Sequence, residues 1–562
     1  MPPMRPTVPP WSACALALGL ALPGCWGESR LPPPGRGAVS IQLLAFNDFH
    51  GSLEPSEDPV WDATAPDGGT PAGGAGHFAA LLLRLKAHAP DRTVVVAAGD
   101  LVGASPLASA LFHDEPTILL MNRLGVDVAS VGNHEFDHGQ VELLRLQEGG
   151  CHPTDGCLFE AGFPGAQFRY LAANVVRDGG ATLLPPYALK QVAGVTVAFV
   201  GLTLAGTGAL VPPVGVADLR FTPEAEAVNA LVPRLRAQGA AAIVVLLHQG
   251  GFGPSHQDVS GCNVRGDILP IVDALDPGVD VVISGHTHAA YVCPNVRGKL
   301  LTSAASHGRV LTEIRLTVDR EQRAVTAKWA ENHIVYRTGE EDAQAQDIAE
   351  RAIRGAAPLA GRILGRIAGA ISRSENAAGE SAAGDVIADA QLAATRAAPA
   401  AAEVALMNPG GIRADLGSAA GEVRYAQAFS AQPFGNTLVT LTLSGAQLRT
   451  LLEQQWQSGH GARVLAVSAG FTYSYRASAP AGSKVDPRSM RIGGAGVDPA
   501  SLYRVTVNSF LAAGGDGFSV LAEGTGRVGG PLDIDALADH LRPTLSGPAL
   551  AVPALDRIVR TP

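Results

Sequence analysis

The sequence reads as a layered α/β protein of more than one domain. Short β-branched runs alternate with helical stretches such as Phe78–Lys86 from about residue 39 to 335. A charged, alanine-rich stretch follows, and a second set of strand and helix signals fills the remainder. At 562 residues the chain exceeds one hydrophobic core, and usual domain sizes suggest about two to four units. Hydrophobic residues at 46% and charged residues at 17% are those of a folded globular protein. The formal net charge of -10 argues against general adsorption to nucleic acid, which needs a basic face. Phosphate recognition must then be local, and no nucleic-acid polymer is expected as a partner.

The first element is a leader. Arg5 precedes the apolar stretch Ala13–Leu22, which is too short to span a bilayer and reads as a secretory signal peptide over residues 1–25. Its ending, Leu22-Pro23-Gly24-Cys25, resembles a bacterial lipobox, which would place a lipid on Cys25; simple cleavage near Gly24 is the alternative. That lipid would be the only membrane contact, because no later stretch approaches about 20 uninterrupted apolar residues. Residues 26–38 read as a flexible tether. Export to the periplasm or cell envelope predicts an oxidising compartment, and Cys151, Cys157, Cys262 and Cys293 are even in number. Cys151–Cys157 and Cys262–Cys293 are the expected pairs among three connectivities. A zinc–thiolate site is the rival, which the spacing does not favour.

The first unit, residues 39–335, carries the chemistry. Five apolar runs each end in metal-binding residues: Ser40–Asn47 at Asp48 and His50, Val94–Gly99 at Asp100, Val126–Gly132 at Asn133 and His134, Ile243–Leu247 at His248, and Asp280–Gly285 at His286 and His288. Ligands of open α/β sheets gather at the carboxyl ends of strands. Residues i and i+2 of a strand share a face, so Asp48 and His50 can reach one ion. Asp100 has two oxygens and can bridge two ions; Asn133, His248 and His286 serve the second, and His288 returns to the first. Mixed oxygen and imidazole ligands suit Zn, Mn, Fe or Co. Two such ions about 3.5–4 Å apart polarise a phosphoryl group and lower the pKa of a water between them, which can then attack phosphorus in line. His134 stands beside a ligand and faces the substrate. Asp137, three residues on, can accept from its imidazole on a helical turn and fix its tautomer. His134 would then stabilise phosphoryl charge or assist the leaving oxygen. The other ten histidines, His77, His113, His138 and His307 among them, read as structural or exposed.

Residues 336–362 form a charged, alanine-rich helix with few apolar residues to bury, a connector and an expected hinge. The second unit, residues 363–562, opens with a helix over Asp385–Thr395 and strands over Glu403–Met407 and Thr437–Leu443. Its Asn408-Pro-Gly-Gly-Ile-Arg413 turn can bring backbone N–H groups and a bidentate donor to an anion.

Gly132-Asn-His-Glu-Phe-Asp137 and Gly285-His-Thr-His288, in order with the other strand ends, closely resemble the calcineurin-like metallophosphoesterases, and in detail the 5′-nucleotidase family of bacterial exported type. The resemblance covers nearly the whole mature chain. It implies a four-layer αββα metallophosphatase domain followed by an α+β nucleotide-binding domain. It also implies two divalent ions, one on Asp48, His50, Asp100 and His288 and one on Asp100, Asn133, His248 and His286, with His134 and Asp137 as catalytic dyad. Asn408 and Arg413 match the family's base-contacting Asn and phosphate-binding Arg, although Pro409 replaces a Gly. Pro433-Phe-Gly-Asn436 and Asn508–Phe518 match two more segments, whose Phe434 and Phe510 would sandwich a nucleobase while Asp516 accepts from ribose. Arg373 is a further phosphate-binding candidate. The implied activity is hydrolysis of nucleoside 5′-monophosphates to nucleoside and phosphate, with nucleotide diphosphates or UDP-sugars as wider substrates. A 2′,3′-cyclic-nucleotide phosphodiesterase with 3′-nucleotidase activity is the enzymatic alternative, although those relatives tend to carry Asn where this chain has Asp137. An exported nucleotide-binding protein without catalysis is the other; it would be expected to have lost ligands that this chain keeps.

Overall fold

A computed structural model of the chain describes residues 35, 37–56, 60, 69–253, 258–457 and 462–562. The expected signal peptide, Cys25 and most of the 26–38 tether lie outside the described residues. The first half is built on two six-stranded sheets. In one, Ala38–Phe46, Thr93–Ala98, Val128–Ser130 and Arg169–Leu171 run parallel, and Val310–Asp319 and Ala324–Ile334 extend the opposite edge antiparallel. The other follows the order Ala290–Val296, Lys299–Ala304, Val281–Ser284, Ala240–His248, Val195–Thr203, Tyr187–Val192, with its middle four strands parallel.

Alternation along each strand sorts the layers. Ile41, Leu43 and Ala45 enter the core between the sheets, against Val197, Phe199, Val244, Leu246, Val281 and Ile283. Leu44 and Phe46 point the other way, onto Phe78, Leu82, Met121 and Leu143 of the covering helices. Val245 and Leu247 pack outward on Val228, Val232, Leu235 and Ile268. The order helix, sheet, sheet, helix is the four-layer αββα arrangement. Both faces of each sheet are covered, which explains why these strands read as continuous apolar runs rather than alternating ones. Both expected cysteine pairs, Cys151–Cys157 and Cys262–Cys293, are bonded.

Helix Ala343–Ala360 departs from its expected role as a bare connector. Asp342 caps it by accepting from the Ala345 N–H and is gripped by the guanidinium of Arg123. Ala345, Ala349 and Ala352 are buried in the core of the first half. Methyl groups suffice because they let the helix approach closely; a count of large apolar residues misses that. No helix among the described residues is long and apolar enough to cross a membrane.

The second half centres on a five-stranded sheet, ordered Ala466–Val467, Val404–Met407, Leu502–Asn508, Thr437–Ser444, Thr525–Leu532. Helices Ala382–Thr395 and Asp533–Leu541 cover one face through Val386, Ile387, Leu537 and Leu541, and Gly445–Glu453 covers the other through Leu448, Leu451 and Leu452. The first of these helices starts ahead of the expected Asp385, because Ser381 accepts from the Gly384 N–H and caps it there. Val404–Met407 runs parallel to Leu502–Asn508, and Thr437–Ser444 runs antiparallel to the latter. Asn408, Asn508 and Asn436 therefore emerge at one edge of the sheet.

Asp385 is fully buried in the first turn of its helix, with Arg557 Nε 3.4 Å away. Burial pushes its carboxyl from 3.8 up to about 8, against the pull of Arg557. The folded chain thus holds this proton more tightly than the unfolded chain, and stability falls as pH climbs through that interval. Asp385→Asn should remove this loss, so that its melting temperature declines less steeply than the wild type's over the same range. Parallel curves would refute the assignment.

Candidate active site

The five strand ends meet where the two sheets come together. Strand alternation is not what brings Asp48 and His50 side by side: their strand stops at Phe46, and both residues are left-handed, with φ of 51° and 49°. Asp100, His286 and His288 are left-handed as well, at 51°, 73° and 54°. Such backbone costs roughly 1–2 kcal/mol per non-glycine residue and persists where the surroundings over-determine it. Here Asp48 N–H donates to Gly99 O at 3.0 Å and His50 N–H to Asp100 O at 2.9 Å, tying two neighbouring strand ends together. Gly132 completes the approach, since a Cβ there would collide with the Asp100 carboxylate.

Two donor groups result. Asp48, His50 and His288 offer atoms within 4.8 Å of one another, and so do Asp100, His248 and His286. Asp100 Oδ2 stands between them, 2.9 Å from His248 Nε2 and 3.7 Å from His50 Nε2. Asn133 Oδ1 lies 3.0 Å from His286 Nδ1. All seven sequence-predicted ligands are therefore brought together.

Burial disfavours charge on His50, Asp100, His248 and His286. For His248 the carboxylates of Asp100 and Asp48 outweigh burial and push its pKa up to about 10. Burial, reinforced by that charge, drives His286 down to about 3, and burial also holds His50 well below 6.5 despite Asp100. The arrangement suits cations better than protons. His50 Nδ1 donates to Gly103 O at 2.9 Å and His248 Nδ1 to Ala98 O at 2.8 Å, which turns each Nε2 inward. His50 Nε2 and His288 Nε2 face each other at 3.0 Å. A divalent ion satisfies such convergent lone pairs and carboxylates together, and the mixed O and N set fits Zn, Mn, Fe or Co.

His134 opens a short 3-10 turn, His134–Phe136, rather than an α-helix. Its Nδ1 is 2.9–3.0 Å from the two Asp137 oxygens, and Ala104 N–H donates to Asp137 Oδ2 at 3.0 Å. Burial opposes charge on the ring, but Asp137 and Asp100 prevail and raise its pKa. A cavity of about 220 Å³ runs from this dyad into the second half, lined by Asn133, His286, Asn408, Arg413, Phe434, Phe510 and Asp516 among others. The Phe434 ring lies over His134, centroids 5.8 Å apart and planes 18° from parallel. Asn408 Nδ2 donates to Asp516 Oδ2 at 2.7 Å, and Asn508 Nδ2 to Asn408 Oδ1 at 3.0 Å. Pro409 is accommodated because it opens the 3-10 turn Pro409–Gly411, where its fixed φ suits the backbone. Arg373 is not among the lining residues, although its charge is felt at Arg413 and His307.

Residues 41–290 match the calcineurin-like phosphoesterase family, and residues 362–523 match the 5′-nucleotidase C-terminal domain. The chain belongs to the 5′-nucleotidase family. The crystal structure of a 5′-nucleotidase precursor from Thermus thermophilus is 27% identical, with a TM-score of 0.75, and the match covers 93% of this chain and 99% of that one. Endonuclease YhcR of Bacillus subtilis is 31% identical over 90% of this chain but 40% of its own length. Cell wall protein Lmo0130 of Listeria monocytogenes is 31% identical over 86% of this chain and 64% of its own. The chain thus spans less than two-thirds of either relative.

In this 5′-nucleotidase-family chain three residues of the site escape a reading by strand ends. His307, left-handed at φ 58°, donates its N–H to Asp48 O at 2.7 Å and sets its ring 5.7 Å from His50 and 5.5 Å from His288. It trails strand Lys299–Ala304 by three residues, so the signal existed but was diluted. Asn47 bonds Ala304 N–H and Ala305 O, clamping one sheet to the other. Glu135, hidden between His134 and Phe136, accepts from Asp100 N–H at 2.9 Å and Leu101 N–H at 2.7 Å. Burial, with Asp100 adding repulsion, lifts its pKa to about 7. Glu135→Gln would turn an amide donor towards one of those N–H groups. Loss of such a buried bond should cost about 1–3 kcal/mol, read by denaturant unfolding, with bound metal falling in parallel; unchanged stability would overturn this role.

Proposed function

We propose that this chain is an exported phosphoric monoester hydrolase that converts nucleoside 5′-monophosphates to nucleoside and phosphate. One observation carries the reading: a single cavity links the donor groups of the first half to Phe434 and Phe510 of the second. Nucleotide diphosphates and UDP-sugars present the same base, ribose and first phosphate and belong to the same proposed range. Export is supported by the two disulfides and the leader-like first 25 residues.

Two divalent ions, one on Asp48, His50, Asp100 and His288 and one on Asp100, Asn133, His248 and His286, would supply Lewis-acid charge and an activated water at phosphorus. The chain's own residues do the rest. Arg413 offers a planar pair of donors to the phosphate oxygens. Asp137 holds the Nδ1–H of His134, so Nε2 serves the substrate, and the anion beside the ring favours its protonated form. His134 then stabilises charge on the transferred group or hands a proton to the departing 5′-oxygen. Phe434 and Phe510 stack on the base, at roughly 1–3 kcal/mol per base. Asn408 meets the base edge, and Asp516, already oriented by its bond to Asn408, accepts from the ribose hydroxyls.

Purified protein supplied with manganese or zinc should release phosphate from AMP and UMP, and from UDP-glucose by way of cleavage to UMP and glucose 1-phosphate, in preference to 3′- and 2′,3′-cyclic nucleotides. No release from any 5′-substrate would sink the proposal. His134→Ala should lower turnover by roughly 10²–10⁴-fold with metal content unchanged. The double variant Phe434→Ala with Phe510→Ala should impair nucleotide hydrolysis and spare p-nitrophenyl phosphate; equal loss on both would refute stacking.

A further inference from the structure

A third convergence of metal-type donors lies on the surface of the first half. His113 follows the short helix Leu107–Ala110, and His152 and Asp155 sit in a hairpin closed by the Cys151–Cys157 disulfide. His113 Nε2 is 2.9 Å from Asp155 Oδ2, and His152 Nδ1 is 3.3 Å from the same oxygen. The two imidazoles lie face to face, centroids 3.8 Å apart and 12° from parallel. Their side chains are 22% and 21% exposed, and that of Asp155 is 48% exposed, so solvent ions can reach all three.

We propose that His113, His152 and Asp155 form a divalent-metal site of the zinc, copper or nickel class, separate from the strand-end site. Two imidazoles and one carboxylate are the donor set such ions prefer. The spacing fits as well. Bonds of about 2.0–2.1 Å to a tetrahedral ion place neighbouring donors about 3.3 Å apart, and three protein ligands leave the fourth position to water. His152 Nδ1 accepts from Asp155 N–H at 3.3 Å and from the Thr154 hydroxyl at 3.2 Å, so it carries a lone pair, which an ion would take over from those two donors.

The donors are held in place from both sides. His152 and Gly156 exchange backbone hydrogen bonds of 3.1 and 2.9 Å inside the disulfide ring. His113 and Asp114 are consecutive left-handed residues, φ 53° and 59°, a strained pair that swings the His113 ring onto the hairpin. Asp114 is fixed there by the Ser109 hydroxyl at 2.6 Å and the Gly103 N–H at 3.3 Å. Because an imidazole lone pair lies in the plane of its ring, binding of one ion by both nitrogens would turn the two rings out of their parallel stack. The ion would clip the hairpin to the Gly103–Asp114 segment. That segment also backs the strand-end site, through Gly103 O to His50 and Ala104 N–H to Asp137.

The test is metal stoichiometry. Full-chain protein stripped by chelator and dialysed against micromolar free zinc should bind one equivalent more, by mass spectrometry of the metal, than His152→Ala or His113→Asn. Asn tolerates the left-handed backbone at position 113. Melting temperatures in chelator check folding, and Asp155→Asn at the most exposed donor replaces any variant that fails. The comparison counts only the difference between chains, so it stands whether or not the strand-end site performs the proposed reaction. Equal zinc in wild type and folded variants would overturn the proposal.

Discussion

Two carboxylates buried at the seam of two sheets set the terms for the first half. Asp48 and Asp100 are 0% and 1% exposed, and an isolated buried anion carries a desolvation cost of several kcal/mol. Backbone donors answer part of that cost: His286 N–H reaches both Asp48 oxygens at 3.0 Å, and His134 N–H reaches Asp100 Oδ1 at 2.8 Å. Imidazoles answer more: His248 Nε2 lies 2.9 Å from Asp100 Oδ2, and the two carboxylates push its pKa up. Glycine at position 132, the left-handed turns and the Asn47 clamp all exist to let donors come this close. Divalent ions would complete a cluster whose charges would otherwise have to be met by protons.

The parallel topology makes such a cluster possible. Three strands of one sheet and two of the other deliver their carboxyl ends to the same seam, and helices on the outer faces keep the strands apolar throughout. The second half repeats the device with different chemistry. There the sheet edge gathers Asn408, Asn508 and Asn436 into a hydrogen-bonded rim that carries aromatic rings instead of metal donors.

Much of this was legible in the sequence. Each apolar run ended in a residue that the fold does bring to the site, because a strand buried on both faces writes itself as an uninterrupted run. The backbone of the ends was not legible. Asp48 and His50 looked like neighbours on a strand face and are in fact paired by left-handed turns that no periodicity encodes. Glu135 works through backbone N–H groups of another strand end, Asp100 and Leu101, and nothing local announces partners 35 and 34 residues away. Helix Ala343–Ala360 was underestimated for a related reason: an alanine face has little hydrophobic signal yet packs well against a helical layer. His113 and His152 read only as structural or exposed, since the disulfide hairpin is what sets them together.

The stacked contact of Phe434 on His134 has a consequence for how such a molecule can change. In the proposed reaction, the groups that would react come from one half, and the groups that would choose come from the other. On that reading, drift in the choosing half can retune what is accepted while the reacting half stays intact, provided that contacts such as this ring pair are kept. It is one place at which the proposed chemistry and the proposed selectivity must agree.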